Sequence, residues 1–178
     1  MNILLIYPEF PDTFWSFKHA LRFVLKKSSS PPLGLITIAA MLPASWNKRL
    51  VDMNVEPLLD RDLDWADMVF ISAMVVQRDS TYEVIHRAKI MDKTVVAGGP
   101  IFTGEWEQFP EVDHFILNEG EITLPEFLHD HEAGTLRRVY STSDYADISQ
   151  TPVPMWGLVK INHYDSLSIQ YSRGCPFN

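Results

Sequence analysis

The sequence predicts an α/β protein: an open five-stranded parallel sheet with helices on both faces, then an extended linker and one more strand. Three observations carry this. Short apolar runs recur at Ile3 to Tyr7, Arg49 to Asn54, Met68 to Ser72, Thr94 to Ala97 and His114 to Leu117. Most are near-continuous rather than alternating, as in strands covered on both faces. Segments with helical signals separate them, and a repeated βα unit with right-handed crossovers builds a parallel sheet. Finally, the runs end in short breaks rich in Pro, Gly, Ser or acidic residues.

Pro8 stops the first run. Glu9 to Pro32 is long for a βα connection, and loops beyond about 12–15 residues are usually functional or disordered. Phe10, Phe14, Trp15, Phe17 and Phe23 make it too aromatic for a solvated linker. It reads as a flap packed on its own domain or over a ligand, with a helical turn or two in Phe17 to Leu25. Leu33 to Leu42 is apolar on nearly all sides; Pro32 suits its helical start and Pro43 its end. Asp60 to Asp67 reads as an acidic connection. Ser80-x-x-Glu83 reads as a capping box, opening a helix with Tyr82, Ile85, Ala88 and Met91 on one face. Ile101 to Phe109 is weakly helical, and Thr123-x-x-Glu126 caps a helix running to about His131. Leu136 to Tyr140 is a candidate edge strand in a polar stretch. Thr151 to Trp156 is a Pro-rich extended connector. Ser166 to Tyr171 reads as the last strand.

In open parallel sheets the ligand crevice lies outside the carboxyl ends of the strands. The residues there are Pro8; Asp52, Met53 and Asn54; Ser72, Ala73 and Met74; Gly98, Gly99 and Pro100; and Asn118, Glu119, Gly120 and Glu121. Gly98 and Gly99 leave room for a flat group to approach the backbone, and Ser72 offers a short hydroxyl. A Gly-Gly pair at a strand end equally makes a tight turn. Glu119 and Glu121 read as an acid/base pair or as a turn that caps the next helix. There is no G-x-G-x-x-G and no P-loop. Pro8-Glu9-Phe10-Pro11 cannot present a row of N–H groups to a pyrophosphate, which argues against the usual nicotinamide, flavin-adenine or nucleotide site. The histidines show no H-x-x-H or H-E-x-x-H pairing. His129 and His131 suit a helix C-terminus, and His19 is the one histidine to consider as a ligand. Trp46, Trp65 and Trp106 read as packing residues.

Composition bounds the rest. Hydrophobic content of 46% and charged content of 21% are those of an ordinary globular chain. A net charge of −8 with no basic run weighs against nucleic acid as a partner. A single cysteine excludes an internal disulfide and fits a reducing compartment. The N-terminal apolar run is short, without a basic lead, and no 18-residue apolar stretch follows. The expectation is a cytoplasmic protein with no transmembrane segment. The cysteine sits in Ser172-Arg173-Gly174-Cys175-Pro176-Phe177-Asn178. On residues alone it is a free thiol, or a metal ligand whose companions lie elsewhere.

Ser172 to Phe177 resembles the start of the radical SAM cluster motif, S-R-G-C-P-x-x-C-x-x-C, with only its first cysteine, Cys175, present. The upstream segments Pro31-Pro32-Leu33-Gly34-Leu35, Val51-Asp52-Met53-Asn54, Gly98-Gly99-Pro100 and Glu119-Gly120-Glu121 are similar to the cobalamin-binding domain that precedes the barrel in many such enzymes. The connector with Pro152, Pro154, Trp156 and Tyr164 is similar to the lead-in to that barrel. Pro11 to Ala20 resembles a subgroup that includes hopanoid methylase-like enzymes.

The resemblance implies a Rossmann-like or flavodoxin-like cobalamin domain over residues 1–133, a linker over 134–165, and the first strand of a barrel over 166–178, truncated after the first cluster cysteine. It implies cobalamin as the small-molecule cofactor, with Ser72, Gly98 and Gly99 where the nucleotide tail and corrin are held. Cys175 would be the first thiolate of a [4Fe–4S] cluster whose open iron binds S-adenosylmethionine. The partner would be the radical SAM barrel of the same parent chain, and the parent activity methyl transfer to an unactivated carbon. One departure stands out. Where cobalamin-dependent mutases carry D-x-H-x-x-G, this chain has Asp52-Met53-Asn54-Val55-Glu56-Pro57. Asn54 replaces the histidine, so cobalamin would bind base-off without a histidine ligand, or the domain has lost it and serves as a scaffold or substrate lid. A receiver-like or flavodoxin-like module outside radical chemistry is the remaining alternative; Tyr7-Pro8 stands where a receiver needs acidic residues.

Overall fold

A computed structural model describes residues 1–12, 21 and 23–173. Thr13 to Ala20, with His19 and most of the aromatic stretch, and Gly174 to Asn178, with Cys175, lie outside the described residues.

The sheet has six parallel strands: β1 (Asn2–Tyr7), β2 (Asn47–Asp52), β3 (Met68–Ser72), β4 (Thr94–Gly98), β5 (His114–Ile116) and β6 (Val139–Tyr140), in the order β2-β1-β3-β4-β5-β6. Five were expected in the sheet. The sixth is the candidate edge strand, pinned by Tyr140, which is fully buried and donates its hydroxyl to Asp130 at 3.1 Å.

Period-two alternation divides the core into two layers. Leu4, Ile6, Val69, Ile71, Val95 and Ala97 face α2 (Asp60–Trp65), α3 (Arg78–Ile90) and α4 (Pro100–Glu105). Ile3, Leu5, Met68, Phe70, Val96 and Ile116 face α1 (Leu33–Met41) and α5 (Gly120–Ala133). This double cover explains why the strands read as near-continuous apolar runs.

Local chemistry moves several boundaries. Asp60 to Asp67 is mostly helical: Asp62 accepts from the Leu59 N–H at 3.1 Å, and Leu63 is buried. One buried leucine among acids gave too little periodicity to show. Ser80 does not cap α3, which begins two residues earlier. The Gln77 side chain accepts from the Met74 N–H at 2.8 Å ahead of the helix, and Ser80 Oγ accepts from the Glu9 N–H at 2.9 Å. The buried face of α3 is Thr81, Val84, Ile85 and Ala88, with Tyr82 outside it. Thr123 lies inside α5, where its hydroxyl donates to the Glu119 carbonyl at 3.1 Å. Trp46, Trp65 and Trp106 pack: Arg49 lies 4.0 Å over Trp65, Trp106 meets Phe115, and Trp46 meets His131.

Ser166 to Tyr171, expected as a strand, forms none: the Ser166 N–H donates to the Ser29 carbonyl at 2.9 Å, beside the Ser28–Tyr164 bridge, and among the described residues no ladder continues from there. Alternation specifies a strand's faces but does not supply a neighbour for its N–H and C=O groups. Among the described residues no helix is long and apolar enough to cross a membrane.

Candidate functional site

The unequal helix cover creates the site. With the helices that follow β3 and β4 on one side of the sheet, α1 and α5 are the α-helices packed on the other among the described residues. A gap is left between them over the carboxyl ends of β3, β4 and β5. It is a cavity of about 690 Å³, within the range of small-molecule sites. Its walls are apolar at Leu33, Ile38, Val96 and Ile116 and polar at Thr37, Ser72 and Asn118.

Ser72, Gly98, Gly99, Pro100, Glu119, Gly120 and Glu121 all line this cavity. Ala73 is buried beside it and Met74 is exposed beyond it; neither is a lining residue. The two glycines have packing reasons of their own. A methyl group on Gly98 would lie 2.7 Å from the Ile116 carbonyl oxygen. Gly99 has φ 93° and ψ 177°, a region essentially restricted to glycine. A methyl group there would lie 2.7 Å from Ser72 Oγ. The tight turn is therefore present, and it forms the cavity floor. Gly34, expected at a close approach to the sheet, and Asn118, expected at a strand end, also line the cavity, whereas Thr37 was not singled out. Asn118 has φ 62°, and an Asn directly after a strand is the signal for such a turn.

Asp52 and Asn54 do not line the cavity. Asp52 is 3% exposed. It accepts from the Asn54 N–H at 2.9 Å, from Asn54 Nδ2 at 2.7 Å and from the Tyr164 hydroxyl at 2.9 Å. Asn54 also donates to the Pro8 carbonyl at 3.2 Å and accepts from the Phe10 N–H at 2.8 Å. The pair joins the ends of β1 and β2 to the linker. Burial pushes the Asp52 carboxyl above its usual range, and the three hydrogen bonds only partly offset this. The same burial, with Asp52 nearby, raises the Tyr7 hydroxyl to about 12.

A raised carboxyl binds its proton more tightly in the folded chain. Stability from this group is therefore highest below the unfolded value and falls as pH rises towards the folded one. Asp52→Asn keeps an acceptor for Asn54 and removes the buried charge, so its stability at pH 7 is expected within about 1 kcal/mol of the parent. Asp52→Ala strands several buried donors and is expected to cost about 3 kcal/mol. Urea unfolding of both variants checks this.

At the cavity rim the guanidinium of Arg173 pairs with both Glu119 and Glu121. It donates to a second oxygen of Glu121 at 3.0 Å and to Gln170 at 3.1 Å, while Thr151 donates to Glu121 at 3.0 Å. Burial pushes Glu121 up, but hydrogen bonds from Arg173, its backbone and Thr151 outweigh it and hold the carboxyl below its usual range. Its contribution is complete above the unfolded value and is lost only as pH falls through the lowered folded value. Arg173 thus holds the two carboxylates together in one ion-paired cluster. Among the described residues no histidine lines the cavity, and no group of three His, Cys, Asp or Glu is placed to hold a metal ion.

Fold and crevice together define a doubly wound α/β cofactor-binding domain. The family model described as the B12 binding domain matches residues 26–128, and the chain belongs to that family. It is 45% identical over 179 aligned residues to an uncharacterized methyltransferase of Synechocystis sp., covering 99% of this chain and 33% of that protein. It is 33% identical to the hopanoid C-2 methylase of Rhodopseudomonas palustris, over 99% of this chain and 34% of the methylase. It is 27% identical to the bacteriochlorophyllide d C-8(2)-methyltransferase of Chlorobaculum tepidum, over 82% of this chain and 34% of that enzyme. The chain thus spans about a third of the length of these relatives. No solved structure matches it significantly.

Proposed function

We propose that this chain is the cobalamin-holding part of a radical SAM methyltransferase that acts on an unactivated carbon. The observation that carries the reading is the cavity between α1 and α5 at the strand ends, in a chain of the B12 binding domain family. The residues fit the cofactor. Leu33, Ile38, Val96 and Ile116 suit a flat heteroaromatic base, and Ser72, Thr37 and Asn118 suit the hydroxyls of a nucleotide tail. Gly98 and Gly99 keep the floor low enough for it to enter. When bound, cobalamin supplies a transferable methyl group; the chain's part is to hold it and to exclude side reactions. Residues 1–133 do this holding, 134–165 lead away, and 166–178 open the barrel, where Cys175 is the first of three thiolates on a [4Fe–4S] cluster that binds S-adenosylmethionine.

Asn54, which stands where the mutases carry their histidine, would not serve as a base to the cofactor in this reading. Asn54 is held by Asp52, Pro8 and Phe10, so its amide is fully used in the loop. A base-off cofactor without a histidine ligand follows. The EPR spectrum of bound cob(II)alamin is expected to lack the nitrogen superhyperfine splitting of an axial base. Resolved splitting in the bound state contradicts the assignment.

A further inference from the structure

Residues Ile169 to Arg173 form one wall of the cavity, although they belong to no strand or helix. Their apolar side chains do not hold them there: Ile169 is 86% and Tyr171 91% exposed. A segment with its apolar groups in water gains almost nothing from burial. What attaches it is polar. Ser166 bonds to the Ser29 carbonyl at one end, and Arg173 grips Glu119 and Glu121 at the other. This second attachment is unlike an ordinary surface pair. One guanidinium meets two carboxylates, the side chains of Arg173, Glu119 and Glu121 are 22%, 19% and 14% exposed, and Thr151 adds a further bond to Glu121. Bidentate, partly desolvated pairs of this kind are the strong ones.

We propose that Arg173 is a positioning residue of the cofactor site, a latch that holds the 169–173 segment, the start of the barrel in the reading above, in place as one wall of the cavity. The proposal rests on the cobalamin reading and adds that the Arg173–Glu119–Glu121 cluster retains the cofactor by keeping this wall in place. It also links two stretches far apart in sequence. Arg173 also lies two residues before Cys175 in the sequence.

The test uses stopped-flow binding and release of hydroxocobalamin, with hydrogen exchange of amides 167–172 measured without cofactor. Arg173→Gln is expected to speed release tenfold or more and to speed association as well. Glu119→Gln with Glu121→Gln is expected to do the same without leaving bare carboxylates at the rim. Arg173→Lys is expected to restore part of the retention, since it keeps the charge but loses the two-pronged geometry. Amides 167–172 are expected to exchange faster in the first two variants while the unfolding midpoint stays put. Release and association unchanged within twofold overturn the latch, as does exchange that remains at the parent rate. A parent chain that binds no cobalamin overturns the underlying reading instead, and the titration shows this before any variant is made.

Discussion

Gly99→Ala is expected to lower the unfolding free energy by about 3–5 kcal/mol. Two costs add. The alanine would sit at φ 93° and ψ 177°, where a residue with a Cβ is strained by about 1–3 kcal/mol. Its methyl would also press on Ser72 Oγ at 2.7 Å, the Ala73 carbonyl at 3.2 Å and the Ala73 N–H at 3.3 Å. The serine can turn, but the backbone of the β3 end cannot retreat without disturbing the sheet, and overpacking of this kind costs about 1–3 kcal/mol. Thermal unfolding is expected to drop by roughly 10 °C for a chain of this size. Gly104→Ala is the control. Nothing lies within 4 Å of a methyl added there, so it is expected within about 0.5 kcal/mol of the parent or slightly above it. Equal effects at the two glycines would contradict the account of the cavity floor.

Gly34→Phe is expected to do the opposite: keep the fold and empty the site. Gly34 is the second residue of α1, lines the cavity, and has nothing within 4 Å of an added Cβ. Replacing glycine in a helix gains about 0.5 kcal/mol from propensity, so the unfolding midpoint is expected to hold or rise. The ring would stand in the space assigned to the nucleotide tail. Affinity for cobalamin is expected to fall at least 100-fold, which is about 2.7 kcal/mol, while Gly34→Ala is expected to lose far less. A Phe variant that is stable and binds as tightly as the parent would place the tail elsewhere.

The sheet was legible because covered strands carry their own signature: Ile3 to Ile6 and Val69 to Ile71 are apolar at successive positions and fully or nearly fully buried. Helix starts were less legible because the capping groups are not the expected hydroxyls. Asp62 and Gln77 accept from the third helical position, Ser80 is drawn into a tertiary bond, and Thr123 bonds back to the carbonyl one turn earlier. At the site, Gly98-Gly99 and Glu119-Gly120-Glu121 could be placed from strand ends alone. Asp52 and Asn54 were at a strand end too, yet they close a loop rather than the cavity. The difference depends on where α1 and α5 leave their gap, a property of the helix layout that no local pattern encodes. Arg173 was visible only as a neighbour of Cys175; its pairing spans more than fifty residues.

The account stands most directly on a titration of the purified chain with hydroxocobalamin, followed in the visible spectrum. Saturable one-to-one binding is expected, with a shifted cobalamin spectrum in the parent and none in Gly34→Phe under the same conditions. A folded parent chain that leaves the spectrum unchanged at high micromolar cofactor contradicts it and leaves the α/β domain as a scaffold without cobalamin.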